Sequence, residues 1–266
     1  MSVLVVIPAR YASSRFPGKP LVALTGAEGQ AKSLIRRSWE AAQAIAGVDR
    51  VVIATDDARI RDAAAAFGGE VVMTSSTCGN GTERVAEAHE VLGGGYDIVV
   101  NFQGDAPLTP PWFVADLIAG LRADPGTAMA TPVLCCDGAA LAGLLADRRA
   151  GRVGGTTAVF DGAHRALYFS KEVIPYTPQS YADAAPTPVF HHVGVYAFRP
   201  DALADYPTWT PGPLEALEGL EQLRFLENGH AILCVEVSPQ GRAFWEVNNP
   251  EDVPRVEAMM AAMGMA

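Results

Sequence analysis

Four short apolar runs, spaced by stretches of helical pattern, constrain this chain more than any other feature. VLVVI (3–7), RVVIAT (50–55), EVVMT (70–74) and DIVVNF (97–102) each carry paired valines at or next to their centres. Runs of this kind suit strands buried on both faces of a sheet. Between them, 32–46, 57–67 and 82–92 read as helices, and 110–121 follows as another, opened by proline. Glu83 in the first turn of the third helix favours the helix dipole. The alternation predicts an α/β fold, a doubly wound, mainly parallel sheet covered by helices. Ligands of such sheets bind beyond the carboxyl ends of the strands. The loops 8–20, 55–57, 74–82 and 103–107 all follow strands and are expected to converge.

After about residue 130 the pattern changes. TAVFD, ALYFS and HHVGVYAF read as partly antiparallel strands, 213–226 and 251–263 as helices, and 231–237 as a strand. The Pro- and Tyr-containing segment 172–190 reads as a loop, either an ordinary surface loop or a lid or dimer arm. There is no internal repeat and no clean linker.

The formal net charge of −10 argues against broad binding to nucleic acid or to an anionic membrane. No run approaches the roughly 20 apolar residues of a membrane span, and the amino terminus lacks a signal-peptide pattern. A cytoplasmic protein is expected. Cys78, Cys135, Cys136 and Cys234 form no C-x-x-C pair and are expected as buried free thiols.

Against this acidic background, PARYASSRFPGKPL (8–21) carries Arg10, Arg15 and Lys19 with no acidic residue. Pro17 and Gly18 set a tight turn whose amides suit phosphate oxygens. Arg10 offers a fork and Lys19 a point charge, which together suit a nucleoside triphosphate. The loop lacks the spacing of a Walker A motif. Taken alone, it reads equally as a basic surface loop. Asp105, in NFQGDAP (101–107), leaves the fourth strand where a carboxylate could hold Mg²⁺ against a triphosphate, or could cap a turn. GNGTERVAEA (79–88) puts Thr82 and Arg84 at a helix start, suited to a base, ribose or anion, or simply to a capped helix with a solvated arginine.

Together with IATDD (53–57), VNFQGDAPL (100–108), ALYFSK-x-x-IPY (166–176), HHVGVYAFR (191–199), LEGLEQLRFLENG (217–229) and VNNPEDV (247–253), these motifs occur in the order of the cytidylyltransferases that activate 3-deoxy-manno-octulosonate (Kdo). The chain closely resembles that family over nearly its whole length. The resemblance implies one domain, 1–266, with a nucleotide-binding part over roughly 1–130 plus C-terminal elements. A sugar-binding and dimerising part would span roughly 131–230. It implies transfer of CMP from CTP to the anomeric hydroxyl of Kdo or a related ulosonic acid, with release of pyrophosphate, as in lipopolysaccharide biosynthesis. Arg10, Lys19 and Asp105 would be catalytic. Ala9, Arg10, Ser13, Arg15, Lys19, Gly81, Thr82 and Arg84 would bind the nucleotide. Gln103, His192, Tyr196, Glu221 and Gln222 match positions near the sugar. Asp105 and Asn248 would hold Mg²⁺, and a homodimer is expected.

The chain departs from the family pattern at several of these places. Asn248 stands where a metal-binding aspartate is usual, and an amide oxygen brings no charge. Glu246, two residues earlier, would share a face with it in an extended segment and is expected to compensate. Ala106, Thr157, Lys171 and His191 replace a glutamate, a lysine and two arginines. This thinning of cations on the sugar side leaves one alternative, a cytidylyltransferase for another acid sugar, such as a sialic-acid-like one; the lost carboxylate at Asn248 leaves another, a CTP-binding protein with impaired turnover. A hydrolase using Cys78 or a histidine finds no supporting nucleophile motif.

Overall fold

The computed structural model of the chain describes all residues except 13–15, 154 and 243. It separates into two compact units, one of residues 1–115 with 239–266 and one of residues 116–238.

The first unit is built on β1 (Val3–Ala9), whose residues 3–7 are wholly buried. Each such side chain stabilises the fold by about 1.5–3 kcal/mol on burial, which is why a continuous Val/Leu/Ile run becomes the central strand. A two-stranded hairpin follows, β2 (Ala23–Thr25) with β3 (Ala31–Ser33), then α1 (Leu34–Gln43). The sequence pattern had extended that helix back over β3. Next come β4 (Arg50–Thr55), α2 (Ala58–Ala66), β5 (Glu70–Met73), α3 (Gly81–Val91) and β6 (Ile98–Phe102). The strands pair in parallel in the order β5-β4-β1-β6. The chain thus winds outward from β1 to β5 and returns to the other side of β1 with β6. That reversal opens a crevice at the carboxyl ends of β1 and β6. The chain leaves this unit through α4 (Pro111–Ala123). The C-terminal helix Asp252–Ala262 returns to it, burying Val256 and Met260 with Leu24, Leu34, Leu108 and Val247.

In the second unit β7 (Met129–Asp137) is followed by α5 (Gly138–Arg149), a helix the sequence pattern did not indicate. Then come β8 (Thr156–Phe160), β9 (Ala166–Ser170), β10 (Pro186–His192), β11 (Val195–Phe198), α6 (Pro200–Asp205), α7 (Pro213–Glu218), α8 (Leu223–Glu227) and β12 (Ile232–Glu236). Strand order is β11-β7-β10-β8-β9, antiparallel throughout, with β12 parallel to β7. Two expectations are corrected here. The single helix over 213–226 is two, because Gly219 adopts φ 61°, ψ 38° and closes α7 with a left-handed residue. HHVGVYAF is two strands, because Val193 donates its N–H to Pro132 O and Val195 donates to Val193 O, which turns the chain after His192.

Candidate active site

The loops after the four parallel strands converge. Gly104 packs so closely on the end of β1 that a Cβ there would lie 2.9 Å from Pro8 O. Gly81 faces Asn101, Gln103 and Pro8 at 3.4–3.6 Å from where its own Cβ would stand. Glycine at 104 lets the ends of β1 and β6 meet.

Lys19 opens a short 3₁₀ turn after Gly18, whose φ of 73° suits glycine and whose N–H donates to Tyr11 O at 2.9 Å. This bond closes the neck of the first loop. Arg59, on α2, lies over the Tyr11 ring at 3.3 Å and pairs with Asp57, the residue capping that helix. From the closed neck Lys19 Nζ reaches Asp105 Oδ2 at 2.5 Å. Ala9 is buried, paired in register with Thr55. Arg10 is exposed beside it. Ser13 and Arg15 lie outside the described residues.

Asp105 also receives the segment 246–248. Val247 donates its N–H to Asp105 O at 2.9 Å. Asn248 and Asn249 donate their backbone N–H groups to Asp252 Oδ2 at 2.9 and 2.7 Å, and Trp245 Nε1 donates to Asp252 Oδ1 at 2.9 Å. Asp252 therefore sets the curve of this segment. Asn248 Nδ2 donates to Glu246 Oε2 at 3.4 Å. Burial, with the charge of Asp105 next, pushes the Glu246 carboxyl up to about 7.

Among the described residues no group of three or more His, Cys, Asp or Glu stands ready for a metal. The oxygen set of Asp105, Glu246 and Asn248 fits Mg²⁺ nonetheless. That ion takes few protein carboxylates and completes its shell with water and phosphate oxygens. Two carboxylates near enough that one resists ionising beside the other are relieved by a cation between them.

Arg84 is neither solvated nor simply turned to a ligand. It is buried, donating from Nη1 to Thr74 Oγ1 at 2.6 Å and Ser75 O at 3.3 Å, and lies 3.6 Å from Asp56 Oδ1. It ties the exits of β4 and β5 to the start of α3. Asn80 caps that helix through Glu83 N, and Glu83 reaches back to Gly79 N, a reciprocal cap. Thr82 is buried and accepts from Asn101 Nδ2 at 3.4 Å.

Of the five positions matched to the sugar, Gln103 belongs to the first unit and the other four to the second. His192 and Tyr196 lie on different strands, yet their rings stack with centroids 5.7 Å apart. Tyr196 OH donates to Gln222 Oε1 at 3.1 Å, and the buried Gln222 Nε2 has no hydrogen-bond partner. Glu221 is half-buried, its backbone carbonyl accepting from Tyr206 OH. Sequence reasoning missed Thr131, whose hydroxyl meets His192 Nε2 at 2.9 Å. Its only signal was a hydroxyl inside an apolar strand.

The departures from the family pattern have structural partners. Thr157 is buried, donating to Glu172 O at 2.7 Å and accepting from Ile174 N at 3.2 Å. Burial pushes His191 down to about 4, so it is neutral at pH 7. The Lys171 N–H donates to Glu218 Oε2 at 2.9 Å, and Ser170 and Tyr168 share the same carboxylate. All four cysteines are free, but Cys135, on β7, is exposed and Cys78 only half-buried, contrary to the expectation of buried thiols. Burial and Glu87 push the Cys78 thiol up to about 12, which removes it as a nucleophile at neutral pH. No helix among the described residues is long and apolar enough to cross a membrane.

Comparison with known proteins matches this framework. Residues 4–232 fit the family model described as cytidylyltransferase. The 3-deoxy-manno-octulosonate cytidylyltransferase of Maricaulis maris is 49% identical over 264 residues, 99% of each chain. That of Syntrophotalea carbinolica is 42% identical, covering 99% of this chain and all of the relative. A solved CMP:2-keto-3-deoxy-manno-octonic acid synthetase, complexed with CTP, superposes with a TM-score of 0.83 at 36% identity, over 99% of this chain and all of that one. The chain therefore belongs to the cytidylyltransferase family, among the 3-deoxy-manno-octulosonate cytidylyltransferases.

Proposed function

We propose that this protein transfers CMP from CTP to the anomeric hydroxyl of Kdo, releasing pyrophosphate. The observation that carries the reading is the meeting of Lys19 with Asp105 at the switch point of the parallel sheet, with Glu246 and Asn248 brought to the same loop. The relatives named for this activity match the chain end to end.

The sugar hydroxyl attacks the α-phosphorus of CTP; its oxygen forms the new P–O bond, the bond to pyrophosphate breaks, and the hydroxyl proton is released to solvent. Positioning and charge stabilisation carry such a step, with no covalent enzyme intermediate. Lys19 and Arg10 hold the triphosphate and offset the charge that develops as pyrophosphate leaves. Asp105, with Glu246 and Asn248, would hold Mg²⁺. When bound, that ion neutralises phosphate charge and orients the triphosphate. The turn 79–82 and the first loop flank the nucleotide, with Arg84 holding the turn in place. His192, Tyr196, Glu221 and Gln222, all in the second unit, orient the sugar.

Asn248 alone would favour a CTP-binding protein with impaired turnover. Its 3.4 Å contact with Glu246 supports a restored charge instead. Identity of 49% with a Kdo enzyme favours Kdo over another acid sugar. One assay tests both points: pyrophosphate release from CTP and Mg²⁺ across a panel of acid sugars. Fastest turnover with Kdo is expected. Calorimetric CTP binding without turnover on any sugar would overturn the proposal. A homodimer is also proposed, supported by exposed Leu167, Tyr176 and Leu217 in the second unit; light scattering at assay concentration reads it directly. We place the reaction in the cytoplasm, where CTP is made.

A further inference from the structure

His192 has one ring nitrogen engaged and one not. Nε2 lies 2.9 Å from Thr131 Oγ1, and no hydrogen bond from the described residues reaches Nδ1. Thr131 is wholly buried on β7 and His192 nearly so at the end of β10, so neither is reoriented by solvent.

The hydroxyl of Thr131 has a single proton to give. Its Oγ1 also lies 3.0 Å from Val195 O and 3.3 Å from Val193 O. Carbonyl oxygens only accept. Val193 O already accepts from Val195 N at 2.8 Å. Pro132, next to Thr131, has no N–H to offer. With the hydroxyl proton directed to Val195 O, which Pro132 leaves without a backbone donor, Oγ1 turns a lone pair toward His192. Two acceptors at 2.9 Å would repel, so Nε2 carries the hydrogen. Burial pushes the ring pKa down to about 3, which keeps it neutral. A neutral imidazole with hydrogen on Nε2 has a bare lone pair at Nδ1.

We propose that Thr131 is a positioning residue that holds His192 in the Nε2–H tautomer, so that Nδ1 accepts a hydrogen bond from a hydroxyl of the bound sugar. This rests on the reading of His192 as a sugar contact. An acceptor at this point favours a polyhydroxy sugar and disfavours a ligand that presents a carbonyl or carboxylate oxygen there.

Long-range ¹H–¹⁵N correlation on protein labelled at its five histidines reads the tautomer in the free enzyme. His192→Gln assigns the signal. The Nε2–H pattern is expected in wild type and in Thr131→Ser, and loss of that single pattern in Thr131→Val. Thr131→Val is expected to raise KM for Kdo about tenfold, with kcat and KM for CTP within about twofold, and Thr131→Ser to restore it. An Nδ1–H pattern in wild type overturns the proposal, even if Thr131→Val fails to fold. An unchanged tautomer and unchanged KM in folded Thr131→Val overturn it too. A wild-type Nε2–H signal that does not move on addition of Kdo overturns instead the sugar contact on which it rests.

Discussion

Lys19 Nζ lies 2.5 Å from Asp105 Oδ2, joining the loop after the first strand of the sheet to the loop after its neighbour β6. The pair places at one point the cation and the anion that the proposed chemistry needs. Its side chains are only 15% and 25% exposed, yet the stability at stake is small, about 1 kcal/mol for a partly solvated pair. The catalytic stake is larger, because charge develops here as pyrophosphate leaves. Lys19→Met and Asp105→Asn are expected to lower kcat/KM for CTP by about 10²–10³ while leaving the thermal midpoint within a few degrees. Pyrophosphate release beside a calorimetric scan separates the two effects.

Gly104 tests the packing that brings these loops together. Any side chain there meets Pro8 O, a backbone atom with no rotamer to change. Gly104→Ala is expected to cost about 1–3 kcal/mol and to displace Asp105, its neighbour in sequence. A urea midpoint equal to that of wild type would show that the strand ends are less tightly joined than their contacts indicate.

Arg84 illustrates a site position whose first role is to hold the frame. Arg84→Met leaves half-buried Asp56, with its shielded Oδ1, without its cation and Thr74 without its donor. A loss of about 1–3 kcal/mol is expected, the cost of leaving buried polar atoms without partners. Arg84→Met with Asp56→Asn should recover part of it, since the stranded charge is gone. Denaturant melts of the single and double variants give the coupling; additive losses would refute the pairing.

The alternation of β-branched strands and helices was legible because β1, β4 and β6 are buried along nearly their whole length, which leaves continuous apolar runs in the sequence, while only the edge strand β5 is largely exposed. The chemistry of Lys19 and Asp105 was legible for a related reason: charged residues that follow such runs must lie where the strands end. What escaped reading depends on contacts distant along the chain or on one backbone angle. Gly219 breaks a helical pattern that looks continuous over 213–226 because it closes α7 in a left-handed conformation. The β2–β3 hairpin is too short, at three residues a strand, to show a period. Arg84 read as a ligand contact or a solvated arginine because nothing local shows that Asp56 and Thr74 hold it. Thr131 and His192 are 61 residues apart and meet only through the pairing of β7 with β10.

His192 gives the fold a pH dependence whose sign follows from burial. Its folded pKa is pushed down to about 3, with burial the larger cause and the neighbouring His191 the smaller. In the unfolded chain a histidine titrates near 6.5. Between those values the unfolded state binds the extra proton, so stability is fully present above about pH 6.5 and falls as pH drops toward 3. At pH 4.5 the loss from this group is on the order of 2 kcal/mol. Urea midpoints measured from pH 7.5 to 4.5 are expected to fall, and to fall less steeply in His192→Gln. Equal slopes in the two proteins would remove His192 as the source.

Asn248 stands where the resemblance implies a metal-binding aspartate, and the change can be reversed. Its amide nitrogen donates to Glu246 Oε2, and its backbone is held by Asp252. Asn248→Asp turns that donor into a second carboxylate beside Glu246, near a third at Asp105. Without metal the like charges repel, and the variant is expected to melt several degrees below wild type. With Mg²⁺ the same charges become ligands, and the metal concentration for half-maximal activity is expected to fall about three- to tenfold. Glu246→Ala should move that concentration the other way, since Glu246 is the group proposed to supply the charge that Asn248 lacks. Mg²⁺ titrations of pyrophosphate release on the three proteins decide the matter. If Glu246→Ala titrates as wild type does, Glu246 does not compensate for Asn248, and Asp105 is left as the one charged ligand of the proposed site.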